Sequence, residues 1–183
     1  MLKTLRNILK TGDATVKYPF APLHTWPDMR GKPEHDAIAC IACGACAVAC
    51  PPNAIQMQTD LRAGTTMWSI DYGRCIFCGR CEEVCPLSAI SLESEFELAV
   101  MRKDDLIETC TYQLQACSEC GEYFAPRKEV DYAVRLLSSM PGNPEVEEAA
   151  QLASVCPTCK RRRDAVAAKA ADDAHAKAKG GEA

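Results

Sequence analysis

Residues 40–51 read CIACGACAVACP, and residues 75–86 read CIFCGRCEEVCP. Each stretch carries four cysteines at C-x2-C-x2-C-x3-C spacing and stops at a proline. The alignment continues without a gap to Ile55 and Ile90, and Gly44/Gly79, Pro51/Pro86 and Ala54/Ala89 also coincide at an offset of 35 residues. Agreement of that extent marks an internal duplication. It constrains the fold more than any other feature, because whatever one copy holds, the other holds by the same means. Neither loop is long enough to fold alone, so a bound group must organise both.

The spacing identifies that group. An iron–sulfur cube takes one thiolate per iron, and a C-x2-C-x2-C-x3-C-P run is the bacterial ferredoxin signature, in which the fourth cysteine serves the other cluster of a two-cluster protein. Three cysteines at three-residue intervals can wrap three corners of a cube. The fourth, four residues on, leads away, and the proline then turns the chain. Cys40, Cys43, Cys46 and Cys85 are therefore expected to hold one 4Fe–4S cluster, and Cys75, Cys78, Cys81 and Cys50 the other. The competing reading, two independent four-cysteine zinc sites, gives no reason for two copies that share both prolines. The first loop is rich in alanine and the second carries Arg80, Glu82 and Glu83. The first is expected to be buried, the second more solvated, and the two clusters inequivalent.

Around the cysteines the pattern is that of short strands. Ile55, Met57 and Thr59 alternate, as do Thr66, Trp68, Ile70 and Tyr72, with turn residues over 60–64 and another strand beginning at Ile90. Each unit reads as strand, cysteine loop, helical turn carrying the fourth cysteine, and strand. Residues 37–55 are almost uncharged, but Gly44, four cysteines and Pro51–Pro52 argue against a bilayer-spanning helix.

Composition narrows the function classes. The chain has 183 residues, 25 acidic and 21 basic, with a formal charge of -4, which argues against a nucleic-acid grip. Thirteen cysteines could suggest disulfides, but the first twenty residues lack an uninterrupted apolar core and a small-residue cleavage site. Mostly C-x-x-C thiols of odd number fit metal binding in a reducing compartment.

Two further segments flank the repeat. Leu2, Leu5, Ile8 and Leu9 share one helical face, Gly12 is placed to cap it, and residues 13–36 contain four prolines and read as an extended arm. Near the other end, CSECG at 117–121 and CPTC at 156–159 supply Cys117, Cys120, Cys156 and Cys159, a four-thiolate set suited to zinc, with iron open as the alternative. Between the knuckles, Val130, Ala133, Val134 and Leu137 mark one helix, Pro141–Gly142 its break and residues 145–153 a second helix, a hairpin that the metal would staple. Cys110 reads as a small packed residue. His24, His35 and His175 show no ligand spacing, although His35 lies where it could tune the first cluster. After KRRR at 160–163 the chain reads as a frayed tail.

The doubled motif, with KTGDATVKYPF and RGKPEHD before it, DYGRCIFCGRCEEVCPLSAI within it, and EFELAV and KEVDYAVRLL after it, resembles the iron–sulfur subunits of formate hydrogenlyase and hydrogenase-4. These lie within the larger family of eight-iron ferredoxin subunits found in complex I. The resemblance covers most of residues 1–160. It implies a subunit that takes electrons from another iron–sulfur protein and passes them to the nickel–iron hydrogenase subunits of a membrane-bound, multisubunit complex. Such a subunit docks peripherally on the cytoplasmic side of the membrane and has no substrate site of its own. No nucleophile–base pair or nucleotide-binding glycine loop stands out in the sequence.

The expected fold is α+β: a duplicated 2×4Fe–4S ferredoxin-like domain with an N-terminal amphipathic helix and arm and a small C-terminal helical four-cysteine metal module. Residues 1–36 form the helix and docking arm, 37–100 the ferredoxin domain, 101–163 the metal module and 164–183 a flexible tail. Three other readings stay open. The chain could be the corresponding subunit of an NADH-type quinone oxidoreductase, against which the C-terminal cysteines argue. It could be a soluble two-cluster ferredoxin, against which the helix and arm argue. Or it could be a colourless zinc protein that touches RNA.

Overall fold

The structure is a computed structural model and describes residues 2–12, 15–141 and 146–180. It belongs to the α+β class. In chain order the elements are α1 (Leu2–Thr11), β1 (Pro33–His35), α2 (Ala45–Ala49), β2 (Ile55–Asp60), β3 (Thr65–Asp71), α3 (Arg80–Glu83) and β4 (Ile90–Leu92). A 3-10 turn (Lys103–Leu106) then leads to β5 (Ile107–Ala116), β6 (Tyr123–Pro126), α4 (Arg127–Ser139), α5 (Val146–Ala153) and α6 (Pro157–Gly180).

The duplication is written into the strand pairing. The strand after the first cysteine loop pairs with the strand before the second, Ile55 opposite Ile70 and Met57 opposite Trp68. The strand after the second loop pairs with the strand before the first, Ile90 opposite His35 and Leu92 opposite Pro33. Each pair maps onto the other by the same 35-residue shift, so the two halves are joined by a pseudo-two-fold exchange of strands. The shift also carries Asp71 N–H to Ala54 O (2.9 Å) onto Asp36 N–H to Ala89 O (2.8 Å).

Apolar residues alternate along β3, which buries Thr66, Trp68 and Ile70 on one face. Trp68 and Ile70, with Ile55, Tyr72, Ile90 and Tyr112, make the core beneath the cysteine loops. The β2–β3 hairpin turns where expected, with Asp60 Oδ1 accepting from Arg62 N–H (2.8 Å) and Ala63 N–H (3.1 Å).

Several elements differ from the sequence expectations. β1 falls inside the stretch read as an arm: three residues beginning with proline have little strand signal of their own, and pairing with β4 makes the strand. The contact continues upstream, where Gly31 N–H donates to Glu93 O (2.7 Å) and Lys32 N–H to Glu95 O (2.6 Å). A Cβ at position 31 would overlap the carbonyl oxygens of Glu93 and Glu95. Replacing Gly31 with alanine is therefore expected to destabilise the fold by about 1–3 kcal/mol, the usual range for overpacking, as checked by denaturant unfolding.

The segment expected to be a helical module begins with strands. β5 pairs with β3 over seven residues, Cys110 facing Trp68, and β6 pairs with β5, giving a sheet ordered β2-β3-β5-β6. Cys110 is half-buried against the core. The helical hairpin follows as α4 and α5, with Val134 and Ala149 buried; Gly142 and Glu145, expected at its break and second start, lie outside the described residues. Beyond residue 163 the chain is helix rather than frayed tail as far as Gly180, because its alanine-rich composition has high intrinsic helix propensity.

At the other end, α1 closes as expected: Gly12 takes φ 61° and its N–H donates to Ile8 O (3.2 Å). Its apolar side chains Leu5, Ile8 and Leu9 are exposed, Leu9 at 78 %. Among the described residues no helix is long and apolar enough to cross a membrane.

Candidate iron–sulfur and metal centres

Each cysteine loop makes the same sequence of backbone conformations. Ala42, Gly44 and Asn53 have φ of 59°, 73° and 54°; their counterparts Phe77, Gly79 and Ser88 have 53°, 78° and 51°. An L-residue in this left-handed region costs roughly 1–2 kcal/mol. Strain repeated at matching positions points to a functional constraint. Gly44 and Gly79 supply the turn that starts α2 and α3.

The purpose of the strain is visible in the N–H groups. Ala42 N–H donates to Cys40 Sγ (3.3 Å) and Phe77 N–H to Cys75 Sγ (3.4 Å). Ala54 N–H donates to Cys50 Sγ (3.2 Å) and Ala89 N–H to Cys85 Sγ (3.1 Å). Backbone dipoles thus converge on sulfur in both halves, which favours the thiolate and, beyond it, a negatively charged group. The third cysteine of each motif, Cys46 or Cys81, rides the short helical turn, and the fourth sits just past its end. The expectation placed the fourth on the turn; with a helix of only four or five residues, the turn ends one residue or so too early.

Two cavities result. One is bounded by Cys40, Cys43, Cys46 and Cys85, the other by Cys50, Cys75, Cys78 and Cys81. Each thus draws three cysteines from one motif and the last from the other. Burial pushes the Cys46 and Cys75 thiols up, and the Cys81 thiol up to about 11. Buried thiols with raised pKa hold their protons until a cation displaces them. Four sulfur donors per cavity, cradled by N–H groups, fit a 4Fe–4S cube.

The two loops also differ in exposure. Ile41 is 7 % exposed and its counterpart Ile76 59 %. Arg80 and Glu83 form an exposed ion pair on the second loop (2.6 Å). The first loop is not covered throughout: Val48 is 91 % exposed.

Near the C-terminus, Cys117, Cys120, Cys156 and Cys159 place their sulfurs within 4.8 Å of one another. Cys120 Sγ and Cys156 Sγ are 3.8 Å apart, which matches the edge of about 3.8 Å in a tetrahedron with metal–sulfur bonds of about 2.3 Å. The first knuckle follows β5 and the second opens α6. Backbone N–H donors from Cys120 and Cys156 hold the Cys117 thiol down at about 6, whereas burial pushes Cys159 up. Glu119 fastens the knuckles by pairing with Arg162 (3.7 Å) and Arg163 at the start of α6. Lys128 Nζ donates to Ala37 O and Ile38 O (both 2.8 Å), tying α4 to the chain just before Cys40.

Of the residues outside these sets, the sequence reading underrated Trp68 and Tyr112. Trp68 borders the first cavity, and Tyr112 meets His35 at 3.3 Å. His35 borders the first cavity as well. The signal for Trp68 was its place in an alternating strand directly before the second motif.

Fold and site together define a two-cluster iron–sulfur electron-transfer protein. The family model described as a 4Fe-4S dicluster domain matches residues 39–89. Formate hydrogenlyase subunit 6 of Escherichia coli (strain K12) is 44% identical over 163 residues, 89% of this chain and 90% of that protein. One chain from the structure of the membrane-bound sulfane sulfur reductase, an archaeal respiratory membrane complex, is 31% identical, with 58% of this chain and 59% of that one covered at a TM-score of 0.44. The chain belongs to the formate hydrogenlyase subunit 6 family.

Proposed function

We propose that this chain relays electrons through two 4Fe–4S clusters, one on Cys40, Cys43, Cys46 and Cys85 and one on Cys75, Cys78, Cys81 and Cys50. The relay leads to the nickel–iron hydrogenase part of a membrane-bound, complex I-related assembly of formate hydrogenlyase type. The observation that carries the reading is the pair of cavities, each bounded by three cysteines of one motif and the fourth of the other. The kinship with formate hydrogenlyase subunit 6 along nearly the whole chain supports the choice of assembly. Bound clusters would supply one-electron transfer. The chain's own part is to hold them close together, to shield the first loop and to set their surroundings.

In this reading the chain has no substrate of its own. Another iron–sulfur protein is its electron donor, and it sits peripherally on the cytoplasmic side of the membrane. The exposed apolar face of α1 serves as a docking element on neighbouring subunits, and Cys117, Cys120, Cys156 and Cys159 hold one structural zinc. Isolation of the tagged chain from its native host, anaerobically and in mild detergent, tests the assembly. A nickel–iron large subunit is expected to co-purify. An intact brown monomer without nickel, found in the soluble fraction, would instead mean a freely diffusing ferredoxin.

A further inference from the structure

Trp68 is 1 % exposed, and its indole N–H is fully enclosed with no hydrogen-bond partner among the described residues. Leaving a buried donor unpaired is costly, so such a group calls for an explanation such as a missing partner. The ring lies on the wall of the first cavity, beside Cys40, Cys46 and Cys85. The ring is also held in place. His35 stacks on it at 3.9 Å and 17°, and His35 Nε2 meets the Tyr112 hydroxyl at 3.3 Å.

The second cavity offers a built-in comparison. At the position that the 35-residue shift relates to Trp68 stands Pro33, and in place of His35 stands Ile70. Both are buried, and both border the second cavity. Neither has a side-chain N–H to give. The two sites share cysteines, backbone strain and N–H···S bonds; besides the exposure of their loops, they differ in this pair.

We propose that Trp68 Nε1–H donates a hydrogen bond to the sulfur shell of the cluster held by Cys40, Cys43, Cys46 and Cys85 and raises that cluster's reduction potential. The inference rests on the two-cluster reading. One-electron reduction adds negative charge that spreads onto the sulfurs, and a donor there stabilises the reduced form more than the oxidised one. Trp68 is a positioning and tuning residue, not a ligand.

The test is an EPR-monitored titration with dithionite of the anaerobically isolated full-length chain and of its Trp68→Phe variant. Phenylalanine keeps a ring beneath His35 and removes the donor. The midpoint of the signal that survives in Cys50→Ala protein is expected to fall by about 59 mV, a tenfold change in a one-electron equilibrium, with the other signal unmoved. In the unsubstituted protein, pulsed EPR in H2O and D2O is expected to show an exchangeable proton coupled to that same centre and absent from the variant. If the variant fails to assemble, an isosteric tryptophan analogue with sulfur in place of the indole N–H, incorporated at Trp26 and Trp68, provides the same comparison. An unmoved midpoint, or an equal shift of both signals, would overturn the proposal while leaving the clusters in place. Absence of both signals from the unsubstituted chain would overturn the two-cluster reading and the proposal with it.

Discussion

Replacing Cys50 with alanine is expected to remove about half of the iron, and the half that goes is the cluster held by Cys75, Cys78 and Cys81. The reason is the path of the chain. Cys50 follows the α2 turn, and its Sγ, fixed by Ala54 N–H at 3.2 Å, borders the cavity of the second motif rather than that of its own. Losing one of four thiolates leaves an iron without its protein ligand, and a cube so exposed is expected to degrade. The reciprocal variant, Cys85→Ala, is expected to remove the cluster of Cys40, Cys43 and Cys46. Iron analysis with EPR of the reduced proteins reads both outcomes. The two variants should leave different signals. If each instead lost the cluster of its own motif, the crossing would be wrong.

The second large effect is expected at the C-terminal site. Cys156→Ala should abolish metal binding there and unfold the surrounding helices, while both 4Fe–4S clusters persist. Apart from Val155 and three of the cysteines, this cluster buries little, with Phe124 packed at its side. So small an apolar core rarely sustains a fold. A structural zinc contributes roughly 10–16 kcal/mol in small four-ligand domains at neutral pH, more than such a core supplies. Zinc and iron counts, together with far-UV circular dichroism and limited proteolysis of residues 117–163, would check this. Full retention of helix and protease resistance in the variant would mean that the thiols serve packing alone.

The chemistry was far more legible in the sequence than the architecture around it. Cysteine spacing and the repeat located every residue that borders the two cavities with sulfur, since loop geometry fixes which side chains can converge. The β2–β3 hairpin was equally plain, because Trp68, Ile70 and their neighbours alternate cleanly around an Asp60 turn. What the sequence hid were elements that exist through their partners. β1 is only Pro33–Glu34–His35, a strand by virtue of β4. β5 does show alternation at Cys110, Tyr112 and Leu114, which was legible, but the cysteines on its flank drew the reading toward a separate metal module. Its pairing with β3 makes the two regions share one sheet. In the sequence Trp68 is one position of an alternating strand; what sets it apart is a buried N–H without a partner among the described residues, on a ring that borders the first cavity.

The central claim is that both cysteine loops hold 4Fe–4S cubes, and it is met most directly by counting iron, acid-labile sulfide and zinc on the anaerobically isolated full-length chain. The account predicts the iron and sulfide of two cubes, one further metal at the four-cysteine site, and two magnetically interacting signals after reduction. A colourless protein with no sulfide and zinc at every cysteine set would contradict it.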